Sequence, residues 1–278
     1  MNERRAQLNR RKFLKITGGL AAGSLLDLGG LAEAGKDEIE MGDDFDLYDF
    51  LIPRVEFGCG KRDANQKGSY QWNILPGGDK NLLEDLIGVV RCKVKLCPGV
   101  RNQIPINGEE KHFGAVVDFY DIGRLRRYPF TFMTASCGYE FDRYQKTNLK
   151  DYILSGGFLL MDDCVAYTID ECDCKKKYNG DYFYMSSCKL LEEVFGREAL
   201  GDIGLEHEVF HNVYSLDDGL PYVQGNKKHR VKGVFINDRL AVILSPWDIH
   251  CGWTDREKKN SREAIQMGVN IIMYALTH

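Results

Sequence analysis

YPFTFMTASCGYEFDRYQKTNLKDYILSGGFLLMDD, residues 128–163, decides the fold. Pro129 to Ala135 is apolar or β-favouring at nearly every position, as a strand buried on both faces should be. A polar turn follows, Ser136-Cys137-Gly138. Asp142 is placed to cap a helix, with Gln145 three residues on as its capping-box partner. Phe141, Tyr144, Leu149, Tyr152 and Ile153 fall near helical spacing, and Gly156-Gly157 stops the helix. Phe158 to Met161 is a second apolar run, ending in Asp162-Asp163. Two such runs joined by a helix make a βαβ unit with parallel strands and a right-handed crossover. Parallel sheets collect ligands outside the carboxyl ends of their strands, where Ser136, Cys137, Asp162 and Asp163 fall.

Upstream, Phe50 to Phe57 reads as a first strand. Leu82, Leu83, Leu86 and Ile87 give a helix an apolar stripe, with Gly88 as its end, and Val89 to Leu96 reads as a second strand. Ala115 to Tyr120 is a short strand or approach to the central unit. Downstream, residues 164–186 change character. They hold Cys164, Cys172, Cys174, a Lys175-Lys176-Lys177 run and several aromatics, and read as an insertion over the sheet edge. A helix over Ser187 to Phe195 comes next, then an irregular segment with His207 and His211. Gly233 to Ile236 and Leu240 to Leu244 flank Asn237-Asp238, a hairpin signal. Ser245 to Trp253 reads as a polar-aromatic loop. Asn260, with Glu263 as capping partner, opens a last helix striped by Ala264, Ile265, Gly268, Ile271, Ile272, Ala275 and Leu276. Alternating strand and helix signals predict an α/β sandwich with a largely parallel sheet.

The chain has 278 residues, 44% of them hydrophobic, and a formal net charge of −4. That supports one sizeable core. It offers no basic face for nucleic acid and no apolar run long enough for a membrane span. The N-terminus carries Asn9-Arg10-Arg11-Lys12-Phe13-Leu14-Lys15, the pattern of a twin-arginine export signal. A mildly apolar stretch and an Ala32-Glu33-Ala34 cleavage signature follow. The expected organisation is a signal peptide over residues 1–34, an acidic linker over 35–46, and one α/β domain over 47–278. The twin-arginine translocase is then a partner during export, and the destination is periplasmic or otherwise outside the cytoplasm. Nine cysteines are an odd number, so at least one thiol is left over or pairs outside the chain.

Asn81-Leu82-Leu83, Tyr128 to Thr134, Leu149 to Asp163, EHEVFHNVY at 206–214 and DRLAVILSPWDIHCGW at 238–253 occur together and in order. With these blocks the chain resembles the bacterial family called "domain of unknown function 4159". The resemblance implies a flavodoxin-like sandwich, similar in fold to class I glutamine amidotransferases and trehalose-utilisation (ThuA-like) proteins. It implies no particular activity. The chain departs from the family where a Gly-His-Gly-like turn is usual and Ala135-Ser136-Cys137-Gly138 stands instead. The cysteine-rich insertion is a second departure.

Two functional classes follow. The preferred one is a protein binding a polar small molecule or carbohydrate at the carboxyl ends of the strands, in a cleft lined by Ser136, Asp162, Asp163, Asp248 and Trp253. The alternative is a hydrolase or amidase with Cys137 as nucleophile and His211 as base, since a cysteine on a turn after a parallel strand can meet oxyanion-binding amides. A third class is an envelope assembly or interaction partner. The plain readings stand beside these: a turn cysteine without chemistry, aspartates that cap the next segments, histidines making ordinary hydrogen bonds, and tryptophans that close the core. The insertion cysteines are expected as disulfides rather than zinc ligands, because their spacing is wrong for two close pairs. No cofactor and no metal are assigned.

Overall fold

Residues 130–135 and 158–163 are buried at every position, and they form the middle of the sheet. The computed structural model describes residues 52–58, 70–75, 77–90, 116–164 and 181–278. In chain order the strands are β1 (Arg54–Val55), β2 (Val116–Val117), β3 (Phe130–Ala135), β4 (Phe158–Asp163), β5 (Leu200–Asp202), β6 (Lys232–Ile236) and β7 (Arg239–Ser245). The α-helices are α1 (Gly77–Val90), α2 (Ile122–Leu125), α3 (Arg143–Leu154), α4 (Tyr182–Phe195), α5 (Ile249–Thr254) and α6 (Ser261–Thr277).

The seven strands stand in the order β2-β1-β3-β4-β7-β6-β5. The first five in that row run parallel, and β6 is antiparallel to both of its neighbours. The expected α/β class with a largely parallel sheet is therefore met. One apolar layer joins Leu82, Leu83 and Leu86 of α1, Trp253 of α5 and most of α6 to Phe132, Phe158 and Leu160. The other joins Leu125 of α2, Leu149 and Ile153 of α3, and Phe183, Leu190 and Leu191 of α4 to Met133, Leu159 and Met161. Strand residues alternate between these layers because successive side chains leave opposite faces of a strand.

The central unit forms as its residues require. Asp142 accepts from the Gln145 amide at 2.9 Å and Gln145 returns a side-chain acceptor to the Asp142 amide at 3.0 Å. Gly156, at φ 100°, takes the left-handed turn after α3. The β6–β7 turn places Asn237 and Asp238 at φ 49° and 64°, the left-handed pair that a tight hairpin needs.

Four expectations change. Within the described part of the first expected strand, from residue 52 on, only Arg54–Val55 pairs as one; Pro53 has no N–H to donate and contributes only its carbonyl, to Phe132. Helix α1 runs through Gly88 to Val90, so Val89 does not begin a strand; Val89 packs on the core from the helix, and residues 91–96 lie outside the described residues. Helix α4 begins at Tyr182, five residues earlier than expected, because Phe183 and Tyr184 extend its buried stripe. At the start of α6, Asn260 makes no side-chain cap and gives its amide to the Tyr222 carbonyl at 2.7 Å, so no capping box forms with Glu263. Among the described residues no helix is long and apolar enough to cross a membrane. The expected signal peptide and linker lie outside the described residues.

Candidate functional site

β3, β4 and β7 end side by side, with Thr134 opposite Asp162, Ala135 opposite Asp163, and Asp162 opposite Ser245. The two aspartates leave β4 on opposite faces. Asp162 takes the amides of Ile249 at 3.2 Å and His250 at 2.9 Å, the first residues of α5. Asp163 takes the backbone amide of Tyr184 in the first turn of α4, whose own N-cap residue Asp181 makes no side-chain cap. One strand end thus supplies an acceptor to a helix start in each layer, where amides lack helical partners. Both carboxyls are enclosed. Burial first, and then the charge of Asp248, hold Asp162 well above the usual carboxylate range. Burial and the charges of Asp162, Asp248 and Asp181 do the same to Asp163. Asp163 Oδ1 has no hydrogen-bond partner, nor has the hydroxyl of Thr134.

The stretch expected as a loop, 245–253, is largely helix α5. Asp248 is its N-cap, in the left-handed region at φ 53°, which Asp tolerates better than most residues. Its Oδ1 accepts from the Cys251 amide at 3.3 Å, and its Oδ2 accepts from Gln224 Nε2. Cys164, the residue after β4, is tied by its amide to the Ala135 carbonyl at 3.1 Å. One donor atom from each of Cys164, Asp248 and Cys251 lies within 4.8 Å of the other two, and all three residues are buried. Both cysteines are free thiols. A hydrogen bond with Cys251 is the largest of the influences that push the Cys164 thiol up, followed by burial and the charge of Asp248.

A second polar group lies beneath the same edge. Arg54 forms a two-pronged pair with Asp79, both bonds 2.7 Å, and both side chains are fully enclosed. Arg54 Nη1 donates to the Ile74 carbonyl at 2.7 Å, and Nη2 lies 2.8 Å from His250 Nε2. Burial, then the charge of Arg54, lower the His250 pKa to about 3, so the ring is neutral near pH 7.

The expected cleft residues do not all meet. Asp162, Asp163 and Asp248 gather at the strand ends, and Ser136 is half-buried just past β3. Trp253 is 0% exposed, packed on Phe132 and His250, and its one polar group, the indole N–H, is already given to the Ala264 carbonyl at 2.9 Å, so it has no group left to offer a ligand. Cys137 is disulfide-bonded, and a disulfide sulfur holds no thiolate to attack a carbonyl. It packs with the α3–α4 layer. His211 belongs to a segment held on the other layer, where neighbouring Asn212 donates to the Asn270 carbonyl of α6 at 3.0 Å. The His211 ring is occupied by Ser215 and the Leu205 carbonyl. The nucleophile and base expected of Cys137 and His211 are therefore not brought together. Cys164 and Cys188 are free thiols, against the expected disulfides of the insertion; Cys172 and Cys174 lie outside the described residues. Sequence reading missed the meeting of Cys164 with Cys251, since only the neighbouring β4 and β7 bring them together.

Fold and site define an α/β domain with a mainly parallel sheet and a buried carboxyl and thiol cluster at its carboxyl edge. Residues 101–276 match the family described as "Domain of unknown function (DUF4159)", and the chain belongs to that family. No curated protein matches the chain.

Proposed function

We propose that this protein binds a polar small molecule, such as a carbohydrate, at the carboxyl edge of the sheet. The observation that carries the reading is Asp163: it ends a parallel strand, is 1% exposed, and keeps one carboxyl oxygen without a partner. A buried acceptor left unsatisfied costs about 1–3 kcal/mol, which a ligand hydroxyl would recover. Ser136, one residue beyond the neighbouring strand, adds a second polar group on that edge. The order β2-β1-β3-β4-β7 of the parallel strands supports the finer reading of a flavodoxin-like sheet, whose ligands gather at the carboxyl edge. Export by the twin-arginine route, argued from Arg10-Arg11 and the cleavage signature, is part of the same proposal.

The test is a thermal-shift screen of the protein against mono- and oligosaccharides, followed by calorimetry on any hit. Asp163→Asn keeps an acceptor for the Tyr184 amide and turns the unpartnered oxygen into a donor. It should weaken binding at least tenfold, about 1.4 kcal/mol, without loss of fold. Equal affinity in the variant would move the ligand away from this strand end.

A further inference from the structure

Cys164, Asp248 and Cys251 meet from separate parts of the chain. They are held by backbone rather than by free side chains. Cys164 is pinned to the end of β3 through its amide. Asp248 and Cys251 are the N-cap and third residue of α5, linked by the Cys251 amide, and α5 itself is fixed to β4 through Asp162. Gln224 donates to the second oxygen of Asp248, and the Gln224 and Val223 amides both reach the Trp247 carbonyl at 3.2 Å. Supports of this kind around the ligating atoms orient them and strengthen a metal site.

We propose that these three residues hold a thiophilic divalent cation of the zinc class, through two thiolates and one carboxylate oxygen. Zinc lies about 2.3 Å from sulfur and about 2.0–2.2 Å from carboxylate oxygen, so tetrahedral ligand atoms sit just under about 4 Å apart. The observed limit of 4.8 Å is a modest contraction away. Two sulfurs and one oxygen select against calcium and magnesium, which take oxygen donors. Three protein ligands leave a fourth tetrahedral position for a small molecule. This site lies on the Asp162 side of β4, opposite the Asp163 side used above, and does not rest on the sugar-binding reading.

The test uses the full chain, purified under reducing conditions without chelators, its metal removed and then cobalt(II) titrated in. The expected result is one equivalent bound, with a thiolate-to-cobalt charge-transfer band in the near ultraviolet that zinc abolishes by competition. Cys164→Ser and Cys251→Ser should each weaken cobalt binding at least tenfold and reduce that band, whereas Cys188→Ser should leave both unchanged. The wild-type spectrum carries the test even if a variant fails to fold. Absence of the band overturns the proposal. So does a band that survives both serine variants and disappears with Cys172→Ser or Cys174→Ser, or a peptide map showing Cys164 joined to Cys251 as a disulfide in the reduced-handled protein.

Discussion

Arg54 is a charge buried inside this fold. Its guanidinium is fully enclosed and is neutralised by Asp79 alone at salt-bridge distance among the described residues. Removing one partner of such a pair leaves an uncompensated buried charge, which costs about 3–5 kcal/mol. Asp79→Ala should lower the urea-unfolding free energy by that amount. A loss under about 1 kcal/mol would mean that water reaches the guanidinium in the folded chain. At this scale the sequence was informative about position and silent about partner. Asp162 and Asp163 could be placed at a strand end from the apolar run before them. That they serve two helix starts depends on Ile249, His250 and Tyr184, which are distant in the chain. Trp253 misled because an aromatic amid polar residues reads as exposed, whereas a short helix turns it under Phe132.

Elements with local punctuation were legible, and elements punctuated from afar were not. Helix α3 carries its own capping box and glycine stop, and its bounds follow from them. Helix α4 takes its cap acceptor from β4, so nothing near Tyr182 announced its start. Gly157 shows how tightly the α3–β4 turn is built. A methyl there would overlap the ring of Tyr152, which is fully buried and whose hydroxyl serves the carbonyls of Tyr128 at 3.0 Å and Phe158 at 3.2 Å. The ring has no free direction in which to yield. Gly157→Ala should therefore cost about 1–3 kcal/mol, the range of overpacked cores, read as a lowered midpoint of thermal or urea unfolding. An unchanged midpoint would show that the turn can open.

For the molecule as a whole, the parallel sheet was legible because two continuous apolar runs flank one amphipathic helix, a pattern with few other solutions. The antiparallel extension was legible only as a hairpin, since nothing in residues 232–245 says which side of the sheet it joins. The export proposal is tested at this scale too. Replacing Arg10 and Arg11 by lysine should leave unprocessed precursor in the cytoplasm, as seen by fractionation and immunoblot. Processing of that variant outside the inner membrane would remove the twin-arginine route.

The hydrogen bond from the Tyr184 amide to Asp163 also fixes a doorway. The chain departs from β4 and rejoins the domain at α4 beside the point where it left. Whatever length lies between is fastened at its base, so adding or removing residues there changes closure entropy only logarithmically and leaves the sheet edge as it was. Variation in length between Cys164 and Asp181 is thus open to the chain without renegotiating the rest of the architecture.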